Sequence, residues 1–258
     1  LIWRLKMSTF KQLKGIILKS YDYGDSSRIV RLFTRDMGLI SFMAKGAKRN
    51  KSRTLNLTEP FVEGEFNLNE GKTMYYIKDG EIVNSHLGLR KSIQYLTCAN
   101  YMVEIMEQVL IDDSDENLYD LFSAAINACE KSEKVFLPRI MSAFLMKLVS
   151  ILGFRPTLGR CVNCGKMLDS FRFDLEQGGM ICEAHISDIN SIDLAKEEYN
   201  ELVYYIRKPL IELIDDEENV QEKVNFTKIH SIIYKYFKLH VENCYINSEA
   251  MMQQLNIL

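Results

Sequence analysis

No run in the sequence approaches the roughly 18 apolar residues that a membrane-spanning helix needs, so the chain is not read as a membrane protein. The opening LIWRLK is too short for a signal peptide and lacks its apolar middle region. Export is therefore not expected, and a reducing cytoplasm is the default compartment. Met7 opens a plausible reading frame, and residues 1–6 are read as an upstream extension outside the fold. Signatures of catalysis are also missing. There is no G-x-S-x-G, no H-E-x-x-H and no protein-kinase set. Two near-matches to a phosphate loop fail: Gly71-Lys72-Thr73 has Phe66 where the opening glycine belongs, and Gly165-Lys166 is followed by Met167 instead of a serine or threonine for magnesium. Histidine is scarce, with four in the chain, and His86, His230 and His240 stand isolated. No internal repeat or low-complexity segment occurs. These absences leave catalysis without a visible home, and the chain is not expected to be an enzyme.

What is present is ordinary in bulk and uneven in detail. Apolar residues make up 47% and charged residues 26%, a globular composition, and 258 residues suffice for two domains. The net charge of −3 hides an asymmetry: Met7 to Asn84 carries 13 Lys+Arg against 9 Asp+Glu, or +4, whereas Ser85 to Leu258 carries 17 against 26, or −9. A basic part can attract phosphate that an acidic part repels, so the two parts suit different partners.

The pattern changes at the same boundary. Up to residue 84, short apolar runs (GIIL, RIVRLF, LISFMA, FVEGEFNL, TMYYI) are separated by turn signals at Tyr23-Gly24-Asp25, Asp36-Met37-Gly38, Asn69-Glu70-Gly71 and Asp79-Gly80. Five short strands in this space predict a small, partly open β-barrel over 7–84. Beyond it the period becomes helical. Leu118, Leu121, Phe122, Ala125, Ile126 and Cys129 share one helix face, as do Ile229, Ile232, Ile233, Tyr236, Phe237, His240 and Cys244, and segments 89–111 and 136–152 are helical by pattern. The expected class is α+β: a barrel followed by a helical domain, 85–258, interrupted by a cysteine-bearing segment at 159–188.

That segment reads CVNCGKMLDSFRFDLEQGGMICEAH. Cys161-x2-Cys164 and Cys182-x2-His185, 17 residues apart, have the spacing of two knuckles that each give two ligands to a tetrahedral zinc. Gly165 and Gly178-Gly179 suit the tight turns this requires, and SFRFDL reads as a strand of the ribbon. Four protein ligands leave no open position, so a structural Zn²⁺ is expected. A zinc deaminase would need H-x-E ahead of P-C-x-x-C, and here Glu183 precedes His185 with no proline beside either pair.

A basic stretch, AKGAKRNKSR, places Lys45, Lys48, Arg49, Lys51 and Arg53 in ten residues after a strand-like run. It is either a mobile loop that meets phosphates or a solvated charged loop. Arg28 and Arg31, on RIVRLF, are read as sharing one strand face that extends the same track. Tyr21, Tyr23, Tyr75 and Tyr76 could stack bases, although strand aromatics usually pack in a core.

The order of YGDSSRIVRLFTRDMGL, AKGAKR and the paired knuckles resembles the RecO family of bacterial recombination mediators, over nearly the whole chain from Leu13. The resemblance implies an N-terminal OB-fold, a helical C-terminal domain and a zinc ribbon. It also implies a DNA-binding mediator of double-strand break and gap repair, nucleoid-associated in the cytoplasm. Such a mediator binds single- and double-stranded DNA, anneals complementary strands, and acts with RecR and the single-strand-binding protein to load RecA. The fourth ligand is expected to be cysteine in zinc-bearing members, and here it is His185. The rival readings are a zinc-containing interaction adaptor that does not bind DNA, and a zinc-dependent hydrolase or deaminase.

Overall fold

The first strand, β1 (Phe10–Tyr23, FKQLKGIILKSYDY), contains four successive buried residues, Gly15, Ile16, Ile17 and Leu18, which a strand with one buried face cannot hold in simple alternation. The backbone accommodates them with a bulge: pairing with β2 (Ser27–Thr34) shifts register between Ile17 and Lys19. In this computed structural model the described residues are 10–110, 115–186, 190–215, 224–241 and 246–257. The upstream residues 1–6 and Cys244 lie outside them.

β3 (Gly38–Ala44), β4 (Glu63–Glu70) and β5 (Tyr75–Asn84) complete a closed barrel of order β1-β2-β3-β5-β4, in which β4 returns to pair with β1. All neighbours are antiparallel except β3 and β5, which join in parallel through Phe42↔Tyr75 and Met43↔Tyr76. The barrel is closed where the strand count predicts a partly open one, and its five strands make the OB-fold that the family resemblance implies. The interior is filled by Leu13, Ile17, Val30, Leu32, Phe42, Phe66 and Leu68 with neighbours. Asp79-Gly80, read from sequence as a turn, lies inside β5. Glycine is needed there because a Cβ at 80 would come within 2.6 Å of the Glu65 carbonyl oxygen on β4.

The helices are α1 (Ile93–Val109), α2 (Glu116–Lys131), α3 (Leu137–Ile151), α4 (Lys196–Arg207), α5 (Leu210–Asp215), α6 (Phe226–His240) and α7 (Ser248–Gln254). The chain divides into two compact units. One is built from residues up to Leu87 together with Leu110–Ser123, the other from Gly88–Val109 together with Ala124 onward. In the first unit the start of α2 covers part of the barrel. Tyr119 and Phe122 lie 5.5 and 6.2 Å from the Phe33 ring, and Tyr119 and Ser123 donate hydrogen bonds to the buried carboxylate of Glu63. In the second unit α3 packs against α1, α4, α5 and α6. Its Arg139, 1% exposed, donates to Glu201 at 2.6 Å and to the Leu213 carbonyl at 2.9 Å.

The cysteine segment forms a small antiparallel sheet, β7-β6-β8, from β6 (Arg172–Asp174), β7 (Gly179–Ile181) and β8 (Ser191–Asp193). The expected SFRFDL strand is shorter than its apolar pattern, three residues, because Asp174 accepts a turn-closing bond from the Gln177 amide. β6 packs edge-on through Phe173 against Tyr236 of α6, whose hydroxyl donates to the Phe154 carbonyl.

Candidate nucleic-acid interface and metal centre

Strand parity sorts the charged and aromatic residues of the barrel. Val30 and Leu32 of β2, and Phe42 and Ala44 of β3, point inward. Ile29, Arg31 and Phe33, and with them Ser41 and Met43, therefore point outward. The pairings Tyr21↔Ile29, Ile29↔Met43 and Met43↔Tyr76 place these four side chains in one outward row across β1, β2, β3 and β5. Lys19↔Arg31 and Arg31↔Ser41 form the next row. Tyr75 points the other way and packs against the barrel core.

This geometry corrects the one-face reading of Arg28 and Arg31. The two are three residues apart, and in a strand of period two an odd separation puts side chains on opposite faces. Arg28 sits in the inward row with Ala44. It donates to Glu59 at 2.7 Å and to the Thr58 hydroxyl at 3.0 Å, and lies 3.7 Å from Asp22. Lys48 is likewise held, donating to Asp22 at 2.5 Å, and this bond lowers the Asp22 carboxyl below its usual range. Lys45, Arg49, Lys51 and Arg53 are exposed, and among the described residues none of them pairs with a carboxylate. Lys45 places its ammonium 4.6 Å from the centroid of the Tyr76 ring. Sequence reasoning missed Lys19 and Met43, which share the outward face; the i, i+2 spacing of Lys19, Tyr21 and Tyr23 was the available signal.

The metal-ligand residues do converge. The ligand atoms of Cys161, Cys164, Cys182 and His185 all lie within 4.8 Å of one another. The Cys164 and Cys182 sulfurs are 3.8 Å apart, and His185 Nδ1 lies 3.8 Å from Cys161 Sγ and 3.3 Å from Cys182 Sγ. A tetrahedral ion with metal–sulfur bonds of about 2.3 Å separates its sulfur ligands by about 3.8 Å, so the four atoms are spaced to hold one such ion. Local backbone bonds set this geometry. The Gly165 amide donates to the Cys161 carbonyl, with Gly165 at φ +71°, and the His185 amide donates to the Cys182 carbonyl. Val162 donates to the Met180 carbonyl and ties the first knuckle to β7.

The thiols are not equivalent. Burial pushes Cys161 upward, but amide donation from Cys182, Cys164 and Asn163 outweighs it and brings the thiol down to about 6. Cys182 is raised, by burial and then by the neighbouring thiols. Ligation requires thiolates, so a binding ion is favoured by the first thiol and displaces the proton of the other.

Sequence comparison matches the chain in two successive stretches. The family model for the N-terminal part of recombination protein O matches residues 7–86, and that for its C-terminal part matches 90–250. A DNA repair protein RecO of Oceanobacillus iheyensis is 29% identical over 95% of this chain and 94% of its own length. One from Alkaliphilus metalliredigens is 30% identical over 94% and 98%, and one from Thermoanaerobacter sp. is 31% identical over 89% and 92%. With the two family models matched in succession across most of its length, the chain belongs to the RecO family.

Proposed function

We propose that the chain is a DNA-binding mediator of DNA repair whose barrel unit holds phosphates and whose knuckle segment carries one structural zinc. The observation that carries the reading is the loop leaving β3, where Lys45, Arg49, Lys51 and Arg53 stand exposed without a carboxylate partner among the described residues. Cations left uncompensated beside an acidic remainder are suited to a polyanion. Family membership supports the repair role, since the relatives matched are named as DNA repair proteins.

The finer role follows from the same resemblance: annealing of complementary strands, and RecA loading together with RecR and the single-strand-binding protein. Annealing needs no covalent chemistry. A cationic loop screens the repulsion between two strands, and weak contacts let the strands slide until bases pair. Zinc suits the Cys3His set, and its four ligands would leave no position for water, which supports a structural rather than a hydrolytic metal.

The test is a salt titration of DNA affinity. Replacing Arg49 and Lys51 together by Ala should flatten the slope of log affinity against log salt by roughly 1.5 units, at about 0.7–0.9 per phosphate contact. Lys48→Ala should change it less, because Asp22 already holds that ammonium. A folded parent protein that binds no DNA at any salt concentration would favour the interaction adaptor.

A further inference from the structure

The cysteines of the second unit differ sharply in access. Cys98 on α1 and Cys129 on α2 are 0% exposed, and Cys161 and Cys182 are 2% and 5% exposed in a small cluster with Ile181. Cys164 alone among the described cysteines is exposed, within a run from Asn163 to Met167 that is exposed throughout. Gly165 beside it faces open space, with nothing within 4 Å of where a Cβ would stand. A small polar oxidant therefore reaches one sulfur of the metal-ligand set before the others. That sulfur lies 3.8 Å from Cys182 Sγ, and closing the gap to a disulfide bond of about 2 Å asks for a shift no larger than a turn of two side chains. Cys161 is the poorer partner. The amides of Cys182, Cys164 and Asn163 all donate to its sulfur, and a thiolate stabilised in this way is the weaker nucleophile.

We propose that the knuckle pair is a peroxide-sensitive switch, in which Cys164 takes the oxidising equivalent and Cys182 resolves it to a disulfide that can no longer hold the zinc. The inference rests on the zinc reading above and goes beyond it by giving the ligands unequal roles. The Cys164 thiolate attacks one peroxide oxygen: an S–O bond forms, the O–O bond breaks, and the hydroxide released takes a proton from solvent. The Cys182 thiolate then attacks the sulfenic sulfur of Cys164. The S–S bond forms, the S–O bond breaks, and a second hydroxide takes a second proton. Two thiolates, one peroxide and two protons thus give one disulfide and two waters, the sulfurs having lost the two electrons that the peroxide gains. Cys161 and His185 remain, two ligands where a structural zinc needs four. His185 also limits the damage. A fourth cysteine in its place would permit a second bridge, whereas here oxidation stops at one bridge and one buried thiol, and a reductant that opens a single disulfide restores the set. What the switch controls is the order of the small sheet, because Cys182 follows β7 directly and the Val162 amide ties the first knuckle to Met180.

The probe is hydrogen peroxide, titrated into the full chain purified with its zinc. Released metal is read with a chromophoric chelator, and disulfides are located by alkylation and peptide mass mapping. The parent should release about one zinc per peroxide consumed at the site and yield a Cys164–Cys182 bridge, with Cys98 and Cys129 still open to alkylation after unfolding. A dithiol reductant and added zinc should restore the metal content. Cys164→His keeps four ligands in a Cys2His2 set and should hold its zinc at a peroxide concentration that empties the parent. Cys161→His keeps the reacting pair and should release zinc as the parent does, with the same bridge. Zinc retained by the parent through excess peroxide would overturn the switch and leave the structural zinc standing. A folded parent that carries no zinc would overturn both. A bridge to Cys161 or any other cysteine, or release without a bridge, would reject the roles given to Cys164 and Cys182.

Discussion

His230 shows how a single buried group writes itself into the stability of the molecule. It is 2% exposed on α6, its Nε2 is 3.3 Å from the Tyr101 hydroxyl, its ring is stacked with Tyr234, and its Nδ1 has no hydrogen-bond partner among the described residues. Burial lowers its pKa from 6.5 to about 3, so the folded protein holds it neutral. An unfolded chain binds the proton at a higher pH than the folded one, so the group's stabilising contribution is complete above about pH 6.5 and is lost as pH falls toward 3. The slope in that window should approach 1.4 kcal/mol per pH unit for this one proton. His230→Phe should remove that component. Melting curves from pH 7 to 4 check it: the variant should lose less stability on acidification than the parent, and an identical pH dependence would exclude His230 as its source. Arg28 and Lys48 carry the complementary lesson. Their cations look available in the sequence and are spent on Asp22 and Glu59, partners 6 to 31 positions away that only the folded barrel brings close.

At the scale of elements, the sequence was legible where the rule is local. Two C-x2-ligand pairs predict their own convergence because each gap is one tight turn, and the helical period of α2, α3 and α6 survives without knowledge of their neighbours. Illegible were the features set by another strand: the bulge at Ile17/Lys19, the passage of β5 through Asp79-Gly80, and the opposite facing of Tyr75 and Tyr76. The metal segment yields a prediction at this scale. Cys161→Ser should leave less than one bound zinc per chain by metal analysis and lower the melting temperature, since a structural metal supplies folding free energy to the element it closes. Loss of amide protection should centre on β6, β7 and the Phe173–Tyr236 contact, while affinity for DNA, proposed above to lie in the barrel, stays near parental. An unchanged melt with abolished binding would instead make the metal part of the functional surface.

The whole molecule is threaded so that its first unit is not contiguous in the chain. The strands end at Asn84, yet the residues that bury Phe33 and engage Glu63 lie in 119–123, after α1 has been contributed to the other unit. A fragment ending at Leu87 should therefore contain every barrel strand and still expose Phe33 and leave Glu63 without Tyr119 and Ser123. It should bind an apolar dye and melt below the full chain. A fragment with no dye binding and a full-chain melt would show the second segment to be dispensable. The same threading has a consequence in time. From Asn84 to Ser123 the ribosome must add 39 residues, about 2–8 s at ordinary elongation rates, before the barrel can receive its cover. Through that interval the nascent chain carries a complete set of strands with an uncovered phenylalanine, and the window for wrong contacts is set by translation speed.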